Sequence, residues 1–152
     1  MCGISGILFN NSGTLDSNIE NLNNITNCLK HRGPNNTSFF SNNGIGLGHN
    51  RLSILDLSLN GNQPMKSHSG RYVLSFNGEI YNHLELREQI HNNFKFNNWK
   101  STSDTSTLVN LFEFWSIDKI LKNINGMFAF AIWDNKKNTV YLVRDRFGEK
   151  PL

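Results

Sequence analysis

Two apolar runs near the C-terminal end, GMFAFAIWD (126–134) and TVYLV (139–143), are separated only by the polar residues Asn135-Lys136-Lys137-Asn138. A connection that short turns the chain straight back, because a parallel partner needs a crossover of about a dozen residues or more. The two runs therefore read as antiparallel strands. Further strand-like runs lie at 3–9, ended by the turn formers Asn10-Asn11-Ser12-Gly13, at Phe39-Phe40, at 45–55 and at 71–76. Helical spacing appears at three places. Ile19, Leu22, Ile25 and Leu29 follow Asp16 or Ser17 as N-cap, and Gly33-Pro34 stops that helix after Lys30, His31 and Arg32 in its last turn. A second helix opens near Asn82 with Glu85 three residues on, a capping-box pattern, and runs through Leu84, Leu86, Arg87 and Ile90. A third opens near Ser103 or Asp104 and aligns Leu108, Leu111, Phe112 and Trp115. So few helices among so many strands exclude βαβ repetition and predict an α+β fold, antiparallel sheets with helices packed outside.

At 152 residues, with 38% hydrophobic residues and 11 Phe, the chain is expected to form one domain with its own core. Its formal charge of +3 comes with no basic run and no arginine stripe, which argues against nucleic acid as a partner. Two cysteines, Cys2 and Cys28, cannot build a disulfide scaffold, and no Cys/His spacing suits a metal. Cys28 lies beside the first helix's apolar stripe and reads as core. The N-terminal apolar stretch ends at Asn10-Asn11, too short for a secretory h-region or a bilayer crossing, so a cytoplasmic protein without membrane attachment is expected.

Chemistry enters with Cys2. Removal of Met1 would put a thiol and a free α-amine on one carbon, so that one residue supplies nucleophile and base. The amine titrates at about 7.7–8.0 and the thiol at about 8.5, so proton transfer between them is feasible near neutrality. Gly3 and Gly6 fit a backbone that substrate approaches closely. The bland alternative is a small apolar residue near a frayed end.

Other residues carry similar pairs of readings. Arg51 opens RLSIL in an apolar run; it either binds a substrate carboxylate with its planar fork or makes an internal ion pair with Asp56 or a glutamate. Asn77-Gly78 is a strong hairpin-turn signal, yet an Asn amide and a Gly N–H aimed at one point would also make an oxyanion hole, with Glu79 facing the same cleft. Asp104 follows Ser103 as a helix N-cap would require, and could instead meet a substrate ammonium. Arg144, Asp145 and Arg146 read as an ion-pair cluster, and His31, His49, His68, His83 and His91 as structural histidines.

Taken in order, MCGISGI, HRGP (31–34), RLSILDLS (51–58), QP (63–64), NGEIYNH (77–83), SDT (103–105), GMFAFAIWD and RDRFGEKPL (144–152) resemble the class II glutamine amidotransferase domain at the N-terminus of glutamine-hydrolysing asparagine synthetases. The resemblance runs from end to end. Glucosamine-phosphate synthase, phosphoribosyl-pyrophosphate amidotransferase and glutamate synthase share the start and the Asn-Gly pair, but RLSILDLS, NGEIYNH and RDRFGEKPL look like the asparagine synthetase branch.

The resemblance implies a four-layer αββα N-terminal-nucleophile hydrolase fold. It also implies hydrolysis of L-glutamine to glutamate and ammonia, with Cys2 as nucleophile and its α-amine as base. Asn77 and Gly78 would form the oxyanion hole. Arg51 would hold the glutamine α-carboxylate, Asp104 helped by Glu79 its α-amino group, and Leu52, Ser53, Ile54 and Leu55 would line the pocket. No cofactor or metal is expected for this step. ATP and Mg would serve only a synthetase domain, which would receive the ammonia and amidate aspartate; no Ser-Gly-Gly loop of that domain occurs in these residues. A homodimer is a further expectation. The alternatives are an amidotransferase of a polysaccharide or secondary-metabolite pathway, and a truncated glutamine-binding module without turnover. Asn35 and Ser106 stand where the family usually has Asp and Glu.

Overall fold

The computed structural model describes residues 1–9, 15–42 and 44–152. In chain order these form β1 (Gly3–Leu8), α1 (Leu15–Cys28), β2 (Asn36–Asn42), β3 (Ile45–Arg51), β4 (Met65–Lys66), β5 (Tyr72–Ile80), α2 (His83–Phe94), α3 (Asp104–Phe114), α4 (Ile117–Asn123), β6 (Gly126–Asp134) and β7 (Thr139–Arg144). Two antiparallel sheets result, one ordered β1-β3-β2 and the other β4-β5-β6-β7.

The sheets are stacked between helices, which is the expected αββα order. Ile45 and Leu47 of β3 meet Val73, Ala131 and Trp133 of β5 and β6 in the layer between them. Two buried hydrogen bonds cross that layer, from Ser75 Oγ to the Gly48 carbonyl (3.0 Å) and between His49 Nε2 and the Phe76 carbonyl (3.2 Å). On the far side of the four-stranded sheet, Phe76, Phe128 and Phe130 pack under Leu86 and Ile90 of α2, Leu108, Leu111 and Phe112 of α3 and Ile120 of α4. Burial of this apolar surface is the main force holding the helical layer down.

Glycine sets the spacing on the other side. A Cβ on Gly46 would come within 2.8 Å of the Leu22 side chain, and one on Gly48 would collide with the Thr26 hydroxyl. Their absence lets α1 lie directly on β3. Gly3 likewise leaves room for Leu29, just past the end of α1, since a Cβ on it would press on that residue at 2.9 Å. Gly6 packs on the Gly46 carbonyl and the Leu47 side chain.

Several local expectations are corrected. The 10–13 turn lies outside the described residues, and α1 opens at Leu15, so Asp16 and Ser17 sit inside its first turn. Its buried row is Leu22 and Thr26; Ile19 and Ile25 are more than one-third exposed and Cys28 is exposed. The hydroxyl of Thr26 makes this rotation of the helix favourable by donating to the Leu22 carbonyl and bonding Ser5 Oγ, both at 2.7 Å. Lys30–Arg32 form a separate 3₁₀ turn. β3 ends at Arg51, not at 55, and the following loop carries no strand. Asn82 makes no side-chain cap on α2; its amide instead joins Asn123 and Asn125 at the far side of α4. Arg144, Asp145 and Arg146 clasp backbone: Arg144 donates to the Gly148 and Lys150 carbonyls, Arg146 to that of Leu121, and Asp145 accepts from four backbone N–H groups. Among the described residues no helix is long and apolar enough to cross a membrane.

Candidate active site

One cavity collects the residues singled out by the sequence. Cys2, Arg51, Leu52, Ile54, Leu55, Asn77, Gly78, Glu79 and Asp104 all line it. Of the expected set only Ser53 stays outside, its backbone N–H held by Asn35 Oδ1 at 3.0 Å. An Asn oxygen thus does there what a carboxylate oxygen would. The cavity wall also contains Met1, Gln63, Thr105 and Lys150, which the sequence reading assigned no role.

Cys2 immediately precedes β1, and β1 pairs with β3, bringing the thiol to the start of the loop that follows Arg51. The Leu52 N–H donates to Cys2 Sγ (3.3 Å), and Arg32 of the HRGP turn donates from Nε to the Cys2 carbonyl (3.1 Å). Burial pushes the thiol pKa up, opposed by the Leu52 N–H, the terminal ammonium and Arg51. The resting group is therefore a thiol that needs a base. Met1 still covers the amine, its sulfur 3.0 Å from Lys150 Nζ.

Arg51 is buried among neutral acceptors. Its guanidinium donates to the Ser58 carbonyl (2.7 Å), Asn62 Oδ1 (2.8 Å) and the Asp56 carbonyl, and Gly61 leaves room for it. Among the described residues it pairs with no carboxylate, so the expected alternative of an ion pair with Asp56 is not what forms. The Asp56 carboxylate instead accepts from Ser101 Oγ (2.6 Å) and the Ser58 N–H (2.8 Å), bonds that hold its pKa at about 2 and tie the 52–58 loop to the approach to α3.

Asp104 is the complementary case. It opens α3 behind Ser103, whose hydroxyl accepts from the Ser106 N–H (3.2 Å) as the true N-cap. This frees the Asp104 carboxylate, 4% exposed, to accept from the Ile80 N–H (2.9 Å) and the Thr105 N–H (2.7 Å). Burial raises its pKa against those two bonds and His83, with Glu79 adding to the rise. A cation placed beside it would reverse that penalty.

The Asn77-Gly78 pair does not turn. β5 runs through both residues, with Asn77 opposite Ala129 and Gly78 opposite Phe128 of β6, and a Cβ at Gly78 would strike the Met127 carbonyl. The turn signal loses because β6 offers a full-length partner. Phe128 directs its N–H and C=O the other way, to Asp145 Oδ2 (3.1 Å) and the Asp145 N–H (2.8 Å). By the alternation of an antiparallel ladder, Gly78 therefore points its own N–H away from β6. β4 covers β5 only at Val73 and Leu74, so that edge is open. The flanking outward N–H groups are taken, Phe76 by Gln63 Oε1 (2.7 Å) and Ile80 by Asp104. The Gly78 N–H stands between them in the cavity wall. Beside it the Asn77 side chain, 3% exposed, makes no hydrogen bond to any described residue.

The model of the glutamine amidotransferase domain family matches residues 1–152, the full length of the chain. The chain belongs to that family. It is 40% identical to asparagine synthetase [glutamine-hydrolyzing] 2 of Bacillus subtilis, across all of this chain and 20% of that protein. It is 38% identical to a putative asparagine synthetase [glutamine-hydrolyzing] 2 of Methanocaldococcus jannaschii, across all of this chain and 31% of that one. A further relative, amidase chyE of Penicillium rubens, is 35% identical over all of this chain and 23% of its own length. The chain thus spans between a fifth and a third of these relatives. Among solved structures, the glutamine phosphoribosylpyrophosphate amidotransferase of B. subtilis shares the fold, with a TM-score of 0.51 and 22% identity over 66% of this chain and 23% of that one.

Proposed function

We propose that this amidotransferase domain hydrolyses L-glutamine to glutamate and ammonia once Met1 has been removed. The observation that carries the reading is a matched pair of buried charges in one cavity with a thiol. Arg51 has no anion and Asp104 no cation among the described residues, and the two charges of a free amino acid would complete both. Arg51 takes the α-carboxylate and Asp104, with Glu79, the α-ammonium, while Leu52, Ile54 and Leu55 wall the side chain and Ser53 acts only through the loop backbone.

The chemistry follows from that pose. The Cys2 α-amine accepts the thiol proton, and sulfur attacks the side-chain carbonyl carbon. The oxygen that becomes negative meets the Gly78 N–H and the Asn77 amide. The ammonium formed on Cys2 returns the proton to the departing nitrogen, which leaves as ammonia, and a thioester remains. Water, deprotonated by the same amine, then releases glutamate. No cofactor takes part. A second cavity, walled by Ile4, Leu47, Ala131, Val140 and Leu142, shares Cys2 and Asn77 with the first and offers neutral ammonia an apolar way out.

The relatives' names support asparagine formation as the use of that ammonia. We propose in addition, on the family resemblance alone, that ATP, Mg and aspartate are bound by a separate synthetase domain and that the enzyme is cytoplasmic and homodimeric. Similarity to a fungal protein named as an amidase, at 35% identity, supports a second reading, in which the ammonia serves an acceptor other than aspartate. Intact mass and a glutamate-release assay without ATP test the core of the proposal. Protein lacking Met1 should release glutamate, and Cys2→Ala should release none while still binding glutamine. Undiminished release by Cys2→Ala would overturn the mechanism.

A further inference from the structure

Gln63 is 5% exposed, lines the active cavity, and spends both ends of its amide on elements that carry the site. Its Oε1 accepts from the Phe76 N–H at 2.7 Å, and its Nε2 faces Thr105 Oγ1 at 3.4 Å. Phe76 precedes Asn77 on β5, and Thr105 follows Asp104 on α3. One side chain therefore spans from the strand that presents the oxyanion donors to the helix that presents the ammonium partner. Three N–H groups, of Phe76, Gly78 and Ile80, project from the open edge of β5. Gln63 occupies the first and Asp104 the last. What remains of the three, among the described residues, is one free donor, at Gly78.

We infer that Gln63 is a positioning residue for glutamine hydrolysis, which closes the Phe76 N–H to substrate and fixes Asn77 and Gly78 at a set distance from Asp104. This rests on the assignment of Asn77 and Gly78 as oxyanion donors. Without Gln63, the Phe76 N–H would stand open one strand repeat from the Gly78 N–H, and the amide oxygen of glutamine could settle against the wrong donor. Binding would survive, since Arg51 and Asp104 still hold the other end of the molecule. The transition state would suffer.

Two substitutions separate this from a merely structural role. In Gln63→Glu the carboxylate accepts from the Phe76 N–H, and the Thr105 hydroxyl turns to donate, so the span is kept; a negative charge now sits beside the developing oxyanion. Gln63→Met keeps the length and loses both bonds. Steady-state glutaminase kinetics on the Met1-processed protein, with melting curves, should give kcat lowered about tenfold or more in each variant and KM within about threefold of the parent, the direction expected for interactions made in the transition state. Gln63→Glu should melt close to the parent. If it does not fold, the Met variant decides alone. Asn77→Ala is measured alongside. A loss of kcat in Asn77→Ala with parental kcat in the folded Gln63 variants overturns the role of Gln63 alone. Parental kcat in Asn77→Ala overturns the oxyanion assignment, and the role of Gln63 falls with it.

Discussion

At the scale of single residues, the site is built from groups whose bonding is incomplete in the free protein. Arg51 is already gripped by three neutral oxygens, so its position is set without a substrate, while its charge meets no carboxylate among the described residues. Arg51→Lys keeps the charge and loses the planar fork that matches a carboxylate. We expect KM for glutamine to rise with kcat much less affected. Asp104→Ala removes the ammonium partner and should raise KM further, because truncating one member of a buried charge pair costs about 2–5 kcal/mol. Titration of glutamine into a Cys2→Ala background checks both; unchanged affinity would leave them as structural residues. Asn77 differs in kind. In the proposed mechanism its free amide acts only once the carbonyl oxygen turns negative, so Asn77→Ala should lower kcat by about 10²–10³ with KM nearly preserved. A hairpin residue would have lost stability instead, and β5 leaves no hairpin there.

At the scale of elements, the long periodic segments were readable and the short or closely packed ones were not. α3 and the β6–β7 hairpin fall where spacing and turn chemistry put them, because α3 and β6 are buried through most of their length and the short polar turn after β6 returns β7 onto it. β4 is two residues long and α4 seven, below the length at which periodicity is distinguishable from chance. For α4 the signal was Ser116, whose hydroxyl caps the helix by accepting from the Lys119 N–H (3.4 Å). The face of α1 departs from its apolar periodicity for a physical reason: Ile19 and Ile25 carry more apolar surface than Thr26, but Gly48 of β3 lies against Thr26, whose hydroxyl finds Ser5 and the Leu22 carbonyl there. That fit is testable. Gly48→Ala should destabilise by about 1–3 kcal/mol through overpacking, and adding Thr26→Ala should recover part of the loss, although Thr26→Ala alone also destabilises. Strict additivity in the melting or denaturant series would mean that the two residues do not share the contact.

For the whole molecule, the residues of the site were legible one by one, but the relations among them were not. Nothing in the sequence places Gln63 against Phe76 and Thr105, because its two bonds join a loop to one sheet strand and one helix start that lie 13 and 42 residues away. Likewise His49 read only as a structural histidine, whereas it stands fully buried between the two sheets, bonded to the Phe76 carbonyl. Burial first, with Arg51 adding to it and the Phe76 bond opposing, lowers its pKa from 6.5 to about 4. A histidine depressed in the fold gives stability that is complete above its unfolded pKa. The unfolded chain gains a proton as pH falls through 6.5 and the native protein resists until about 4, so stability is lost across that window, to about 3 kcal/mol in all. Below it, the decline belongs to Asp56 and Asp145. Both have pKa values lowered to about 2, Asp145 because four backbone N–H bonds outweigh the cost of burial. His83, also depressed by burial, adds loss in the upper window, and Asp104, raised by burial, opposes it. The His49 share is isolated by difference. Gln at position 49 keeps a donor for the Phe76 carbonyl and cannot titrate. Denaturant unfolding of the parent and of His49→Gln from pH 7.5 to 4 should therefore show the steeper fall in the parent. Parallel curves would mean that His49 is protonated in the native state and that the layer between the sheets admits water.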